Sequence, residues 1–186
     1  ATYRLQMHQL HCEYLLENPG DSPLPYGFGA HPYFRVPMGG PSADDCVVTL
    51  PVTREWMLQD LIATGAVRDV AQPFASGVRF GNLHLDNVFS GLGYQQSRCT
   101  CSVADPTSRV QLDLEFGSAF RELVVYNPPH REAICIEPYT CVPGATHLLS
   151  SGSSPETAPR DLGWKTLAPG AQEKLDMILR VRELAT

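Results

Sequence analysis

The sequence predicts an all-β protein, an antiparallel β-sandwich. Three observations carry that expectation. Sixteen prolines and fifteen glycines punctuate the 186 residues, so apolar runs stay short and turn residues recur about every 8–12 positions. The runs are rich in Val, Leu, Phe and Tyr, which suit a pleated, half-buried surface. No window has an apolar period strong enough to predict an α-helix, and no internal repeat of about 20–50 residues is present.

The elements follow in order. In TYRLQM, Tyr3, Leu5 and Met7 alternate at period two, and HCEYLLEN resumes after a short turn, so the chain opens with a hairpin. NPGDSPLP is a loop of turn residues. CVVTLPV (46–52) reads as a strand, and REWMLQD fits a strand or one helical turn. SRCTCSVAD, RVQLDLEFG and ELVVYNPP follow between 97 and 129 as three strands, with DPTS as the hairpin turn joining the first two. EAICIEPY is a further strand. QEKLDMILRVREL contains a helix-compatible pattern, but its β-branched residues and the preceding LAPG favour a strand. The Ser/Gly/Pro-rich stretch 150–163 is a surface excursion rather than a linker, because a strand pattern resumes behind it.

Composition excludes several function classes. Hydrophobic residues make up 43% and charged residues 18%, enough for a core and against disorder. The net charge is −6 and no Lys/Arg cluster occurs, so neither nucleic acid nor an anionic membrane surface is an expected partner. No apolar run approaches the roughly 20 residues of a membrane span, and the opening segment does not read as a signal peptide. Six cysteines (12, 46, 99, 101, 135 and 141) lie mostly inside strand-like runs, where they behave as reduced, buried small hydrophobes. CTC at 99–101 lacks the spacing of a structural zinc pair. Reduced thiols and the missing signal point to a cytoplasmic location.

Three residues stand out as candidates for chemistry. His31 sits in PYGFGAHPYFRVP, a run of glycine, aromatics and proline, and Pro32 pushes it towards an extended backbone. Glu137 follows the alternation AICI and precedes Pro138, which puts a carboxylate at a strand end. Such groups are rarely buried without a task or a partner. Asp86 lies in HLDNVF. Taken singly, each has a bland explanation: a structural histidine bonded to backbone, a solvated glutamate, an aspartate capping a turn. A His/Glu acid–base pair suits many reactions, and spacing alone forces none of them. Arg131, close to Glu137 in sequence, is a candidate to pair with it or with a substrate.

In combination, GFGAHPYF, then LDNVFSGL, then VVYNPPHREAICIEPYTCVPGA resembles the aldose 1-epimerase (galactose mutarotase) family. The closing LAPG and last strand fit as well, so the resemblance spans most of the chain. It implies the galactose-mutarotase-like supersandwich. It also implies interconversion of the α and β anomers of a free aldohexose of the galactose or glucose class, with no metal and no organic cofactor. By motif position His31 would be the general acid at the ring oxygen, Glu137 the general base at the anomeric hydroxyl, and Asp86 a ligand of sugar hydroxyls. The chemistry suits these types: opening a hemiacetal needs one proton placed on the ring oxygen while another leaves the C1 hydroxyl.

Two departures accompany the resemblance. Family members are half as long again or more, and their N-terminal part supplies further strands, an arginine and a second histidine at the sugar, neither of which maps here. Residues 1–186 are therefore expected to form the C-terminal portion of one sandwich, incomplete on its N-terminal side, with open edges that invite self-association. His8 and His11 fall in the opening hairpin, and His84, His130 and His147 are expected in loops or at the surface. Two alternatives stand beside the epimerase reading. One is a non-catalytic carbohydrate-binding or structural domain of the same fold. The other is a hexose-6-phosphate epimerase, which would want an arginine cluster, whereas Arg35, Arg79 and Arg131 are scattered.

Overall fold

A computed structural model describes residues 1–130, 132–150 and 161–184. In chain order the strands are β1 (Thr2–Gln6), β2 (Gln9–Glu17), β3 (Leu24–Tyr26), β4 (Tyr33–Arg35), β5 (Val47–Thr49), β6 (Arg54–Gln59), β7 (Ile62–Asp69), β8 (Val78–Arg79), β9 (Asp86–Ser90), β10 (Arg98–Asp105), β11 (Val110–Gly117), β12 (Glu122–Tyr126), β13 (Ala133–Tyr139), β14 (Lys165–Leu167) and β15 (Gln172–Glu183). A short helix, α1 (Ala145–Ser150), follows β13.

Every pairing is antiparallel. One sheet has seven strands in the order β1-β2-β15-β11-β10-β5-β8, the second has six in the order β4-β13-β12-β9-β6-β7, and β14 pairs with β3 alone. Alternation of side chains along each strand divides the residues between two surfaces. On the six-stranded sheet, Ile134, Ile136, Leu123, Val125 and Phe89 point inward and meet Cys99, Cys101, Val103, Leu114, Phe116, Leu175 and Met177 of the seven-stranded sheet in one buried core. Each large apolar side chain buried this way contributes about 1.5–3 kcal/mol.

The outer face of the six-stranded sheet is partly covered as well. Trp56, Ala63, Val88, Cys141, Val142, Ala145 and Leu148 form a second apolar cluster there, with Leu162 and Trp164 packed against it. Beneath this cover Trp56 Nε1–H donates to Glu122 Oε2 at 2.7 Å. Burial raises the Glu122 carboxyl to about 7, against the opposing hydrogen bonds from Trp56 and Ser90.

The structure bears out the sandwich, the opening hairpin, the β10–β11 hairpin and the strand reading of the last segment. REWMLQD is strand β6. Short strands β3, β4, β8 and β14, and the longer β7 and β9, escape the sequence reading. Two or three residues carry too little periodicity to see, and Asp86 opens β9 rather than capping a turn. A short helix follows Gly144, and His147 lies on it, exposed as expected but not in a loop. Its one and a half turns offer no periodicity to detect. Arg131 and most of the 150–163 excursion lie outside the described residues. Among the described residues no helix is long and apolar enough to cross a membrane.

All six cysteines are buried and none is in a disulfide. Thiol titration without reductant should find six reactive groups per chain after unfolding and far fewer before it. Two or fewer after unfolding would contradict the reduced core. Glu122 generates a second expectation. Its carboxyl ionises near 4.5 in the unfolded chain and near 7 in the fold, so its stabilising contribution is complete below the lower value and is lost as pH rises through the upper one. Between about pH 5 and pH 8, urea unfolding should show the native protein losing roughly 2 kcal/mol relative to Glu122→Gln. Parallel pH profiles for the two proteins would remove the assignment.

Candidate active site

The site is built on the outer face of the six-stranded sheet, where strand register sets its floor. Val124 of β12 lies between Glu137 of β13 and Val88 of β9, and Tyr126 lies between Cys135 and Asp86. Tyr33 of β4 extends the second row beyond Cys135. Two adjacent rows therefore present Glu137, Val124 and Val88, then Tyr33, Cys135, Tyr126 and Asp86. Neighbouring strands are about 4.8 Å apart, so the floor spans a dimension suited to a small molecule.

His31 reaches this floor from a loop stitched to β13 on both sides. Thr140 N–H donates to Phe28 O at 2.8 Å, Phe28 N–H donates to Thr140 Oγ1 at 2.9 Å, and Ala30 N–H donates to Pro138 O at 3.1 Å. Beyond the histidine, β4 pairs with Ala133–Cys135, and Val36 N–H donates to Glu132 O at 3.1 Å. Phe28 anchors the loop by packing on Tyr14, ring centroids 4.7 Å apart, and on Phe120. Gly29 permits the approach: a Cβ there would stand 2.6 Å from the Tyr139 ring. Pro32 has no N–H to give, so the seam skips a step at His31–Pro32 and the imidazole turns towards the floor.

His31 Nε2 stands 3.4 Å from Glu137 Oε1, an ion-pair contact slightly longer than a formed N–H···O bond. Its Nδ1 is 3.7 Å from Cys135 Sγ, and its ring stacks on Tyr33 at 5.3 Å. The Tyr139 hydroxyl donates to Glu137 Oε2 at 3.3 Å. Glu137 is only 2% exposed, and burial raises its pKa; His31, the Tyr139 hydroxyl and the Cys135 thiol pull it back down, while the charge of Asp86 adds to the rise. A buried carboxylate held above its ordinary value, with an imidazole against it, is an acid–base pair poised to exchange protons.

The pair opens into a cavity of about 320 Å³ whose walls include Tyr33, Asp86, Tyr126 and Tyr139, with Leu58, Leu61, Val88, Val124 and Pro143 forming the apolar side. Leu61 arrives on the β6–β7 turn, where Asp60 and Leu61 both have positive φ, 51° and 63°, as tight hairpin turns require. His31, Glu137 and Asp86 thus come together as the sequence suggests, and Arg131 lies outside the described residues. Sequence reasoning missed Cys135, Tyr139 and Tyr126. The first two were readable from period-two spacing around Glu137. Tyr126 depends on register across two strands and was not.

Comparison with known proteins agrees with this fold. A galactose mutarotase-like protein from Clostridium acetobutylicum superposes with a TM-score of 0.80 at 21% identity, over 98% of this chain and 55% of that one. Another, from Lactobacillus casei, gives 0.70 at 21% identity over 97% and 61%. An aldose epimerase homologue from C. elegans gives 0.71 at 17% identity over 96% and 57%. The chain therefore spans a little over half the length of these relatives. No curated protein matches it in sequence. The aldose 1-epimerase family model matches residues 1–178, nearly the whole chain, and with the strand order and site geometry described above, the chain belongs to the aldose 1-epimerase family.

Proposed function

We propose that this site interconverts the α and β anomers of a free aldohexose of the galactose or glucose class. The single observation behind this reading is the contact of 3.4 Å between the His31 imidazole and the buried Glu137 carboxylate at the wall of a sugar-sized cavity. The two oxygens that must exchange protons, the ring oxygen and the C1 hydroxyl, are carried by one carbon. An acid and a base a few ångströms apart can address both at once.

The steps balance without a further reagent. Glu137 takes the C1 hydroxyl proton while protonated His31 gives its proton to the ring oxygen, and the bond from C1 to the ring oxygen breaks to leave an aldehyde and a hydroxyl. After rotation about C1–C2 the same groups act in reverse. His31 recovers a proton from the hydroxyl as it attacks the other face, and protonated Glu137 returns its proton to the carbonyl oxygen. Asp86 accepts hydrogen bonds from sugar hydroxyls, and the phenols of Tyr126 and Tyr139 flank them. The apolar wall of Leu58, Leu61, Val88 and Val124 takes the C–H face of the ring.

Among the described residues no lysine or arginine lines this cavity, which disfavours a sugar phosphate beside two carboxylates. We further read residues 1–186 as the C-terminal portion of one sandwich. Exposed Tyr3 and Leu5 on β1, the outer edge of the seven-stranded sheet, support that reading, since such an edge is ordinarily covered.

Polarimetry on α-glucose and α-galactose tests the activity. Glu137→Gln and His31→Gln should each lower the rate by about 100-fold or more, with a smaller change in sugar affinity, whereas Asp86→Asn should act mainly on KM. A fully active Glu137→Gln protein would sink the assignment. Sugar binding by the native protein with no acceleration of mutarotation would favour the non-catalytic alternative.

A further inference from the structure

The acid–base reaction passes protons through the imidazole and the carboxylate, and the Cys135 thiol beside them takes no part in that transfer. That thiol shares the outer face of β13 with Glu137, two residues along, and the His31 ring lies over both. One ligand atom from each of the three residues can be taken such that all lie within 4.8 Å of one another. A thiolate, an imidazole nitrogen and a carboxylate oxygen, with one position left open, make up a donor set that suits Zn²⁺ and its heavier congener Cd²⁺.

We propose that His31, Cys135 and Glu137 form a binding site for a thiophilic divalent cation of the Zn²⁺ and Cd²⁺ class, and that occupancy inhibits by withdrawing the acid and the base together. The inhibitory part rests on the epimerase reading; the cation site does not. With bonds of about 2.3 Å to sulfur and about 2.0 Å to nitrogen and oxygen, tetrahedral donors stand roughly 3.3–3.6 Å apart. The contacts of 3.7 Å from sulfur to the ring and 3.4 Å from the ring to the carboxylate already have nearly that size. They reach opposite nitrogens, and one ion takes only one of them, so the ring must turn and shift by about 1 Å to complete the set. It is the member able to do so: the Glu137 side chain is 3% exposed and fixed on its strand, whereas that of His31 is 55% exposed.

The rest of the site is consistent with a cation. The Tyr139 hydroxyl holds Oε2 of Glu137 and leaves Oε1 for the ion. Asp86 contributes a second negative charge to the floor, and no lysine or arginine among the described residues lines the cavity. On binding, the Cys135 S–H bond breaks, its proton passes to buffer, and a sulfur–metal bond replaces it. The open fourth position faces the cavity and takes water.

The experiment is a titration of the reduced protein with Cd²⁺ alone. It is followed by the ultraviolet sulfur-to-cadmium charge-transfer band and by calorimetry, and neither signal needs turnover. One equivalent should bind. Cys135→Ser should abolish the band and weaken binding by about 100-fold or more, and Glu137→Gln and His31→Asn should each weaken it by about 10-fold or more. Absence of saturable one-to-one binding, or an unchanged band in Cys135→Ser, would overturn the site. If Cys135→Ser does not fold, unchanged Cd²⁺ affinity in both other variants would overturn it equally. Saturating galactose or glucose should raise the apparent Kd for Cd²⁺. Intact Cd²⁺ binding that neither sugar affects would retain the cation site and overturn both the inhibitory claim and the sugar reading of the cavity.

Discussion

The antiparallel seam between segments 27–36 and 132–140 is the constraint on which the site depends. Each backbone bond in it contributes only about 1 kcal/mol net, which is comparable to the entropy of fixing one residue. Their arrangement matters more than their sum. Bonds lie on both sides of His31–Pro32 and none at that step, so the loop has little freedom except where the imidazole must turn. Phe28 in the core and the bare Cα of Gly29 under the Tyr139 ring keep the loop close enough for a side chain as short as histidine to reach Glu137.

Opposing electrostatic effects meet at that carboxylate. An unpaired buried charge costs several kcal/mol, and burial is the largest influence on Glu137. Three neighbours offset it: the imidazole, the Tyr139 hydroxyl and the Cys135 thiol. The result is a carboxylate that remains somewhat easier to protonate than an exposed one. That suits the proton-accepting and proton-returning role proposed for it. Glu122, on the same sheet face but 4% exposed and bonded to Trp56 beside the second apolar cluster, shows the other outcome: burial dominates and holds the carboxyl near 7.

Much of this was legible in the sequence, and the remainder failed for identifiable reasons. Long alternating runs such as β10, β11 and β13 announce themselves, and Glu137 at the end of AICI could be placed on the face opposite the isoleucines. β4 and β8 could not, because three or two residues hold no period; pairing with an established neighbour makes them strands. β15 carried a helix-compatible pattern that its pairing with both β2 and β11 overrides. His31, Glu137 and Asp86 were found by motif, but their union depends on register. Nothing local in HLDNVF reveals that Asp86 faces Tyr126, which in turn faces Cys135.

The alternation along β13 also bears on how this chain can vary. Ile134 and Ile136 belong to the core and Cys135 and Glu137 to the opposite face, beneath the His31 ring, in a strand only seven residues long. Substitution at either isoleucine is a matter of volume and tolerates other aliphatic residues. A one-residue insertion or deletion is different in kind, because it exchanges the two faces wholesale, sending a carboxylate into the core and an isoleucine to the histidine. Drift in this lineage should therefore proceed through replacement within the strand, with length changes confined to the turns, such as the one after Tyr126.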